Sequence, residues 1–434
     1  MERVFQSRWF HLALVSTLAL AVLAVYSNTF NASFHFDDGP HIRDNYTIRD
    51  MGNAMEILRG QRGVTMLTFA LNYAFGDLDV AGYHAVNISI HIINGVMAYF
   101  LLFWTLRRVS EDELWSKKIA AYSALLFAVH PVQTQAVTYI VQRMESLASL
   151  FYLAALLVFI KAAEASTTVK RVVLYSCVVL VYIVGFNSKE IAITLPAILL
   201  LYDFYFLSDR EVKTVAARWP LYAVLLVLLG YFAVSTVVPL GGFGDVSEES
   251  SGMVAAAAAA AGAAGQTGPG GVAPSAGFAV SGISPAEYLM TQMNVLVYYI
   301  CLLLVPVNQN LDYDFPVSRG LFEVPQVNEG TVLNIPLLPP VVSLVLLLAI
   351  IGAAVYLFVR SRRGAGPTAG LPAAQAAVVS FFIFWFFIIL SPTSSFIPIV
   401  DVIFEHRLYL ASLGFFVVFA IAVDWVFRYI GTRG

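Results

Sequence analysis

Apolar positions in this chain gather into stretches long enough to cross about 30 Å of hydrocarbon. They run from Trp9 to Tyr26, Val86 to Leu106, Val172 to Phe186, Ile191 to Leu207, Leu221 to Leu240, Leu337 to Phe358, Ala373 to Leu390 and Leu408 to Val426. Between the second and third of these, Ile119 to Val129 and Ala136 to Ile160 form a short span and a long one, which meet at His130-Pro131. The pattern predicts an all-α integral membrane protein of about ten transmembrane helices. The first run follows a basic start, Arg3 and Arg8, and has no small-residue cleavage signature, so it reads as a retained span rather than a signal peptide. Val295 to Val307 stands apart, because it is only about 13 residues long, short of a crossing, and contains Pro306 near its end.

Basic residues decide how that short run is read. If it does not cross, Arg107, Arg108, Lys117, Lys118, Lys161, Lys170, Arg171, Arg210, Lys213, Arg218, Arg360, Arg362, Arg363, Arg428 and Arg433 share one side with Arg3 and Arg8. Only about eight basic residues then lie outside, in keeping with the positive-inside bias. If it crosses, the cluster Arg360, Arg362, Arg363 is exported against that bias. The expectation is therefore a re-entrant or interfacial segment over 286–332, with both termini cytoplasmic. The rest of the chain, 1–434, forms a single transmembrane domain with a first extracytoplasmic loop at 27–83. An extracytoplasmic Ala/Gly-rich loop at 241–285 is expected to be mobile, since such composition buries too little apolar area to order itself.

Composition narrows the class further. Hydrophobic residues make up 59% of the chain and charged ones 12%, more apolar surface than a soluble fold of this length needs to bury. A net charge of -3, with no dense Lys and Arg segment, leaves no footprint for nucleic acid. Cys177 and Cys301 both lie in apolar stretches and read as small buried hydrophobes.

Given this topology, the unusual polar clusters all fall on the outward side, where ionisable residues at membrane depth point to function. Asp37 and Asp38 follow the first span between aromatic neighbours, a setting in which one carboxylate can take a proton from a hydroxyl. His84, Asn87 and His91 share one helical stripe, read either as a ligand set or as a satisfied interior stripe. His130-Pro131 ends a span too short to cross, so Gln133 to Glu145 is expected in a recess. Arg143 with Glu145, and Lys189 with Glu190, read equally as ion pairs or as cations for a phosphate head group. Asn308 to Asp314, with Asp312 and Asp314, and Glu405-His406-Arg407, just after Asp401, complete the set. A transporter would place such residues near mid-membrane on broken helices with internal repeats, and no repeat is visible. A lipid-linked sugar flippase or small-molecule transporter is the alternative to an enzyme, and a structural scaffold, which has no use for the acidic pair, is a third.

Several pieces in register carry a resemblance: FHFDD with HIRDN, RGVTMLTFALNY, GYHAVNISIHIING, HPVQTQAVTYIVQRMESLASLFYL, SKEIAITLPAILLLYDFYF, NQNLDYDFP and DVIFEHRLYLASLGF. Together they resemble the bacterial relatives of the transmembrane and tetratricopeptide-repeat O-mannosyltransferases, within the multi-span polyprenyl-phosphate-sugar glycosyltransferases of the GT-C class. The resemblance implies a GT-C-like fold in a bacterial inner membrane and transfer of a sugar from a polyprenyl-phosphate lipid to a protein or glycan hydroxyl on the periplasmic face. It implies Asp37 as general base and Asp38 as its partner or an acceptor contact. Arg407, Lys189, Arg143 and His406 are then candidates for the donor phosphate. Glu145, His130, Gln133, Glu190, Glu405, His84, Asp312 and Asp314 are candidates to support acceptor or sugar. No cofactor or metal is implied, although Asp37, Asp38 and Glu145 could share a divalent ion if folding joined them. Many relatives carry a tetratricopeptide tail that this sequence does not show, so acceptor choice is not carried over from them.

Overall fold

The computed structural model describes residues 5–208, 210–237, 276–277, 280, 282–328, 331, 333, 335–362 and 371–431. Most of the Ala/Gly-rich loop, and Arg363, lie outside the described residues. The fold is all-helical. Its longer helices are α1 (Phe10–Val25), α2 (Ala54–Arg59), α3 (Gly63–Gly76), α4 (Val80–Val109), α5 (Glu113–Val129), α6 (Thr134–Thr138) and α7 (Arg143–Ala163). These are followed by α8 (Thr168–Phe186), α9 (Leu195–Tyr202), α10 (Val212–Ala216), α11 (Trp219–Val237) and α12 (Pro285–Leu304). The last three are α13 (Pro340–Arg362), α14 (Ala373–Leu390) and α15 (Leu408–Gly431).

Local chemistry sets the boundaries. Asp79, Asp112 and Thr167 cap α4, α5 and α8 by accepting backbone N–H groups of the first turn, and Ser284 with Glu287 forms a reciprocal capping box on α12. In α1, Phe10, Leu14, Leu18 and Val22 recur every fourth residue, so a single stripe packs on α4 and α5 while the other faces stay open. Where α14 meets α15, Gly414 permits contact that no side chain would: a Cβ there would stand 2.5 Å from the Phe382 carbonyl oxygen.

Eight helices among the described residues are long and apolar enough to cross a membrane, with α1 and part of α11 as shorter apolar helices. Two boundaries depart from the sequence expectation. The span expected to run unbroken from Ala136 is interrupted at Tyr139, whose backbone is extended, so α6 and α7 are separate. Most of the Val295 to Val307 run, up to Leu304, is the second half of a 20-residue helix, α12, which is long and apolar enough to cross on its own. Its shortness in sequence came from Thr291, Gln292 and Asn294, which interrupt the apolar run but are buried against protein.

The path after α12 is a return. Tyr298 packs against Tyr313 and Phe315, and further back along the helix Ser318 bonds to both Thr291 and Asn294. Residues 306–318 thus climb in the reverse direction along α12. Asn294 in turn accepts from Ser343, in the first turn of α13, while Val297, Ile300 and Cys301 line an apolar groove with Leu346, Ile350 and Ala353. Consecutive helices α12 and α13 therefore run parallel, joined by extended chain that returns to the starting end.

Candidate active site

At one end of the bundle, loops from distant parts of the sequence bond to one another. Asp37 bonds through its amide to the Tyr139 hydroxyl at 2.8 Å, and Val64 and Thr65 bond to the carbonyls of Asn187 and Ser188. Gln309 donates to the Pro131 carbonyl, and Gln135 reaches both Leu311 and His406. The opposite end holds Arg108 paired with Glu164, Lys117 with Glu113, and Arg428 with Asp424. The outward polar clusters of the sequence are thus one structural neighbourhood, and the basic anchors lie elsewhere.

Asp37 and Asp38 are split by burial. Asp38 is 1% exposed, and its two carboxylate oxygens accept the backbone N–H groups of Val141 at 2.7 Å and His35 at 3.0 Å. Burial pushes its carboxyl up to about 6, opposed by those two hydrogen bonds. Of the two roles expected for it, partner of Asp37 or acceptor contact, its burial fits the first: it is a bracket between the 35–38 turn and the start of α7. Asp37 is exposed beside it, with Tyr139 at hand. Burial raises the Tyr139 phenol well above its ordinary range, so it stays a neutral hydrogen-bonding group.

The charged pairs are not those that the sequence neighbours suggest. Lys189 pairs with Glu145 at 2.9 Å, and Glu190 with Arg62, whose guanidinium grips both carboxylate oxygens. Arg62 sits at a left-handed φ of 54°, and the next residue must be glycine, since a Cβ on Gly63 would lie 2.5 Å from the carbonyl oxygens of Ile57 and Leu58. Burial lowers the Lys189 ammonium, with Glu145 acting against that shift. One Glu145 oxygen is buried without a partner, as is one oxygen of the fully buried Gln133, whose amide nitrogen bonds to Ser412.

Arg143 has no carboxylate partner among the described residues and is fully buried. Its guanidinium donates to Asn87, Asn72, Thr68 and the Tyr83 carbonyl, and lies over the rings of Phe69 and Tyr83. Neutral acceptors and aromatic faces leave it no open side for a phosphate. It ties α3 to α4 and α7.

Arg407 is a second buried guanidinium, held by fewer acceptors and lying over the Phe404 ring. Only 7% exposed, it donates to the main-chain carbonyls of Asp401 at 2.8 Å and Val402 at 3.2 Å, beside the hydroxyls of Tyr288 and Tyr299. Among the described residues no carboxylate lies within ion-pair distance of it. A buried cation without a counter-ion is suited to receive an anion. Asp401, on the same loop, links it to the acidic side: burial raises its carboxyl, as do Asp312 and Asp37, against Arg407. Asp37 and Asp312 thus act electrostatically on Asp401, whose main-chain carbonyl accepts from Arg407, although more than 360 residues separate Asp37 from Arg407.

The remaining candidates each make contacts within the protein. Glu405 holds the returning segment through Gln309, the Asn310 amide and the Tyr313 hydroxyl. His406 bonds to Gln135 through both its amide and Nδ1 and stacks on Phe404. His130 accepts the Val132 amide and packs on Phe416. His84 bonds through Nε2 to the Ala32 carbonyl while its Nδ1 is buried without a partner, and His91 joins Tyr409, Asn94 and Ala128 in an interior network, so the stripe on α4 is packed inside the protein but only partly satisfied. Asp314 bonds to Asn328 and Thr331, away from Asp37. Among the described residues no group of three or more His, Cys, Asp or Glu side chains is placed to hold a metal ion, and Asp37, Asp38 and Glu145 do not form one. Arg62, Tyr139 and Asp401 join the site without having been assigned roles in the sequence. The Arg-Gly step at 62–63 was the one local signal for them.

Long apolar helices with a charged, hydroxyl-lined cluster at one end define an all-helical protein of membrane-spanning character. Among curated proteins, the chain is similar to the protein O-mannosyl-transferase TMTC3 of Mus musculus, at 32% identity over 206 residues, 44% of this chain and 21% of that protein. It is also similar to the protein O-mannosyl-transferase F38B6.6 of Caenorhabditis elegans, at 29% over 233 residues, 50% of this chain and 31% of that one. TMTC2 of Mus musculus matches at 32% over 155 residues, 32% of this chain and 18% of that protein. The chain spans about a fifth to a third of the length of these relatives. No protein-family model matches it, and neither does any solved structure.

Proposed function

We propose that this protein is a glycosyltransferase of GT-C type that moves a sugar from a polyprenyl-phosphate donor to a protein or glycan hydroxyl on the extracytoplasmic face of a bacterial inner membrane. The observation that carries this is that Arg407, buried and with no carboxylate within ion-pair distance among the described residues, follows His406, which bonds to Gln135, while exposed Asp37 bonds to Tyr139 four residues further along the same segment. Similarity to proteins named O-mannosyl-transferases supports mannose as the sugar and a Ser or Thr hydroxyl as the acceptor.

In this reading the donor phosphate sits at Arg407, next to the Tyr288 and Tyr299 hydroxyls, with Lys189 and Arg62 as reserve cations nearby. Asp37 takes the proton of the acceptor hydroxyl as its oxygen attacks the anomeric carbon. The bond from that carbon to the phosphate oxygen breaks, its electron pair stays on the lipid phosphate, and Arg407 stabilises the charge that develops there. A single displacement of this kind inverts the anomeric centre. We read α12 with residues 305–318 as a re-entrant unit that walls the site, which keeps both termini on the cytoplasmic side.

The test uses the full chain in lipid nanodiscs with a radiolabelled polyprenyl-phosphate mannose and Ser/Thr peptides. Asp37→Asn should bind donor normally and melt normally while transfer falls on the order of 10²–10⁴-fold, the usual worth of a general base. Arg407→Ala should weaken donor binding instead. Full transfer by Asp37→Asn would remove the base assignment, and no transfer by the wild type from any polyprenyl-phosphate sugar would remove the function.

A further inference from the structure

The residue next to the proposed base is held in a conformation that its side chain disfavours. Phe36 has a φ of 41°, in the left-handed region that bulky residues avoid, and its ring is 62% exposed. A single exposed aromatic needs no explanation by itself. Here the exposure is coupled to a backbone cost, and the fold enforces that cost from several directions. Asp38 accepts the His35 amide, the Asp38 amide bonds back to the His35 carbonyl, and the Gly39 amide bonds to the Phe36 carbonyl. Tyr139 fixes the Asp37 amide, and the Asp37 carbonyl accepts from His41. Relaxing Phe36 would break this set, so the turn that aims Asp37 also drives the Phe36 ring outward.

Its surroundings indicate what the ring meets. Phe34, two residues earlier, packs against Tyr83, whereas Phe36 is flanked by exposed His35 and Asp37. Those polar neighbours place it in water rather than in hydrocarbon. Arg407, the cation proposed for the lipid phosphate, is buried, whereas Phe36 and Asp37 are open to solvent. The aqueous side is the one from which an acceptor hydroxyl reaches the carboxylate.

We propose that Phe36 is an acceptor-binding residue, an aromatic platform that packs against the acceptor polypeptide beside the hydroxyl that Asp37 deprotonates. The proposal rests on the transferase reading above and adds a specificity contact to it. The backbone conformation supplies an unusual test, because glycine accepts a positive φ without strain. Phe36→Gly in the full chain should melt at the same temperature as the wild type or higher. Its KM for a Ser/Thr peptide should rise about three- to ten-fold, the range of an aromatic contact, with donor KM and turnover at saturating peptide within about two-fold of wild type. Phe36→Tyr should restore the peptide KM. An unchanged peptide KM, a rise in donor KM instead, or a lower melting temperature with a parallel loss of activity would each overturn the proposal while leaving the transferase reading intact. A wild type that transfers no sugar would overturn both.

Discussion

A carboxyl group that accepts two main-chain N–H groups while almost fully buried, as Asp38 does, feels two opposed influences. The hydrogen bonds favour its charged form, and loss of water favours its neutral form. Burial wins, raising the group from 3.8 to about 6. The folded state therefore holds this proton more tightly than the unfolded chain does. The stability the group contributes is complete below about pH 4 and is lost as pH rises through about 6. Asp38→Asn has no proton to lose, so the stability difference between wild type and this variant should shrink by on the order of 3 kcal/mol from pH 4 to pH 7. Thermal melts of both proteins across that range check it, and a difference that does not change with pH would contradict it. Asp37, one residue away and open to solvent, is free to act on a substrate because Asp38 does the anchoring.

Between elements, the binding of α3 onto α4 and α7 turns on Arg143. Its planar fork meets acceptors on two other helices at once, a geometry that an ammonium cannot copy. Arg143→Lys should destabilise the protein by about 3 kcal/mol or more, because buried acceptors lose their donors and a compact charge takes the place of a delocalised one. The midpoint of thermal unfolding in detergent should fall, while donor KM in the folded fraction stays unchanged. A normal midpoint with impaired donor binding would return Arg143 to the phosphate site. The break at Tyr139 belongs to this scale too. By ending α6 early, it turns a ring from the membrane-spanning run towards Asp37, which hydropathy alone does not register.

Across the whole molecule, the two ends of the bundle differ in kind. One holds the converging site, and the other holds short-range basic pairs. In the proposed reading, the positive-inside bias puts the site outside. With Cys177 and Cys301 replaced by alanine, a cysteine in place of the exposed Arg59 should react in intact cells with a maleimide that cannot cross the membrane. One in place of Ser166 should react only after permeabilisation. The reverse pattern would put the site in the cytoplasm and exclude a donor presented on the outer face.

Much of this architecture was legible from residue order. The apolar runs became helices, and the polar clusters at 34–38, 130–145, 187–190, 308–314 and 401–407 came together at one end, because partition into hydrocarbon depends on local composition and the chain must alternate sides as it crosses. The partners of individual charges could not be read that way. Lys189 lies next to Glu190 in the chain yet pairs with Glu145, Glu190 takes Arg62, and Arg143 takes no acid among the described residues. Hydropathy is a sum over neighbours in sequence, and tertiary packing acted only by choosing where those sums meet. A charge settles by its distance to every other charge and by the water it loses, and packing alone decided both.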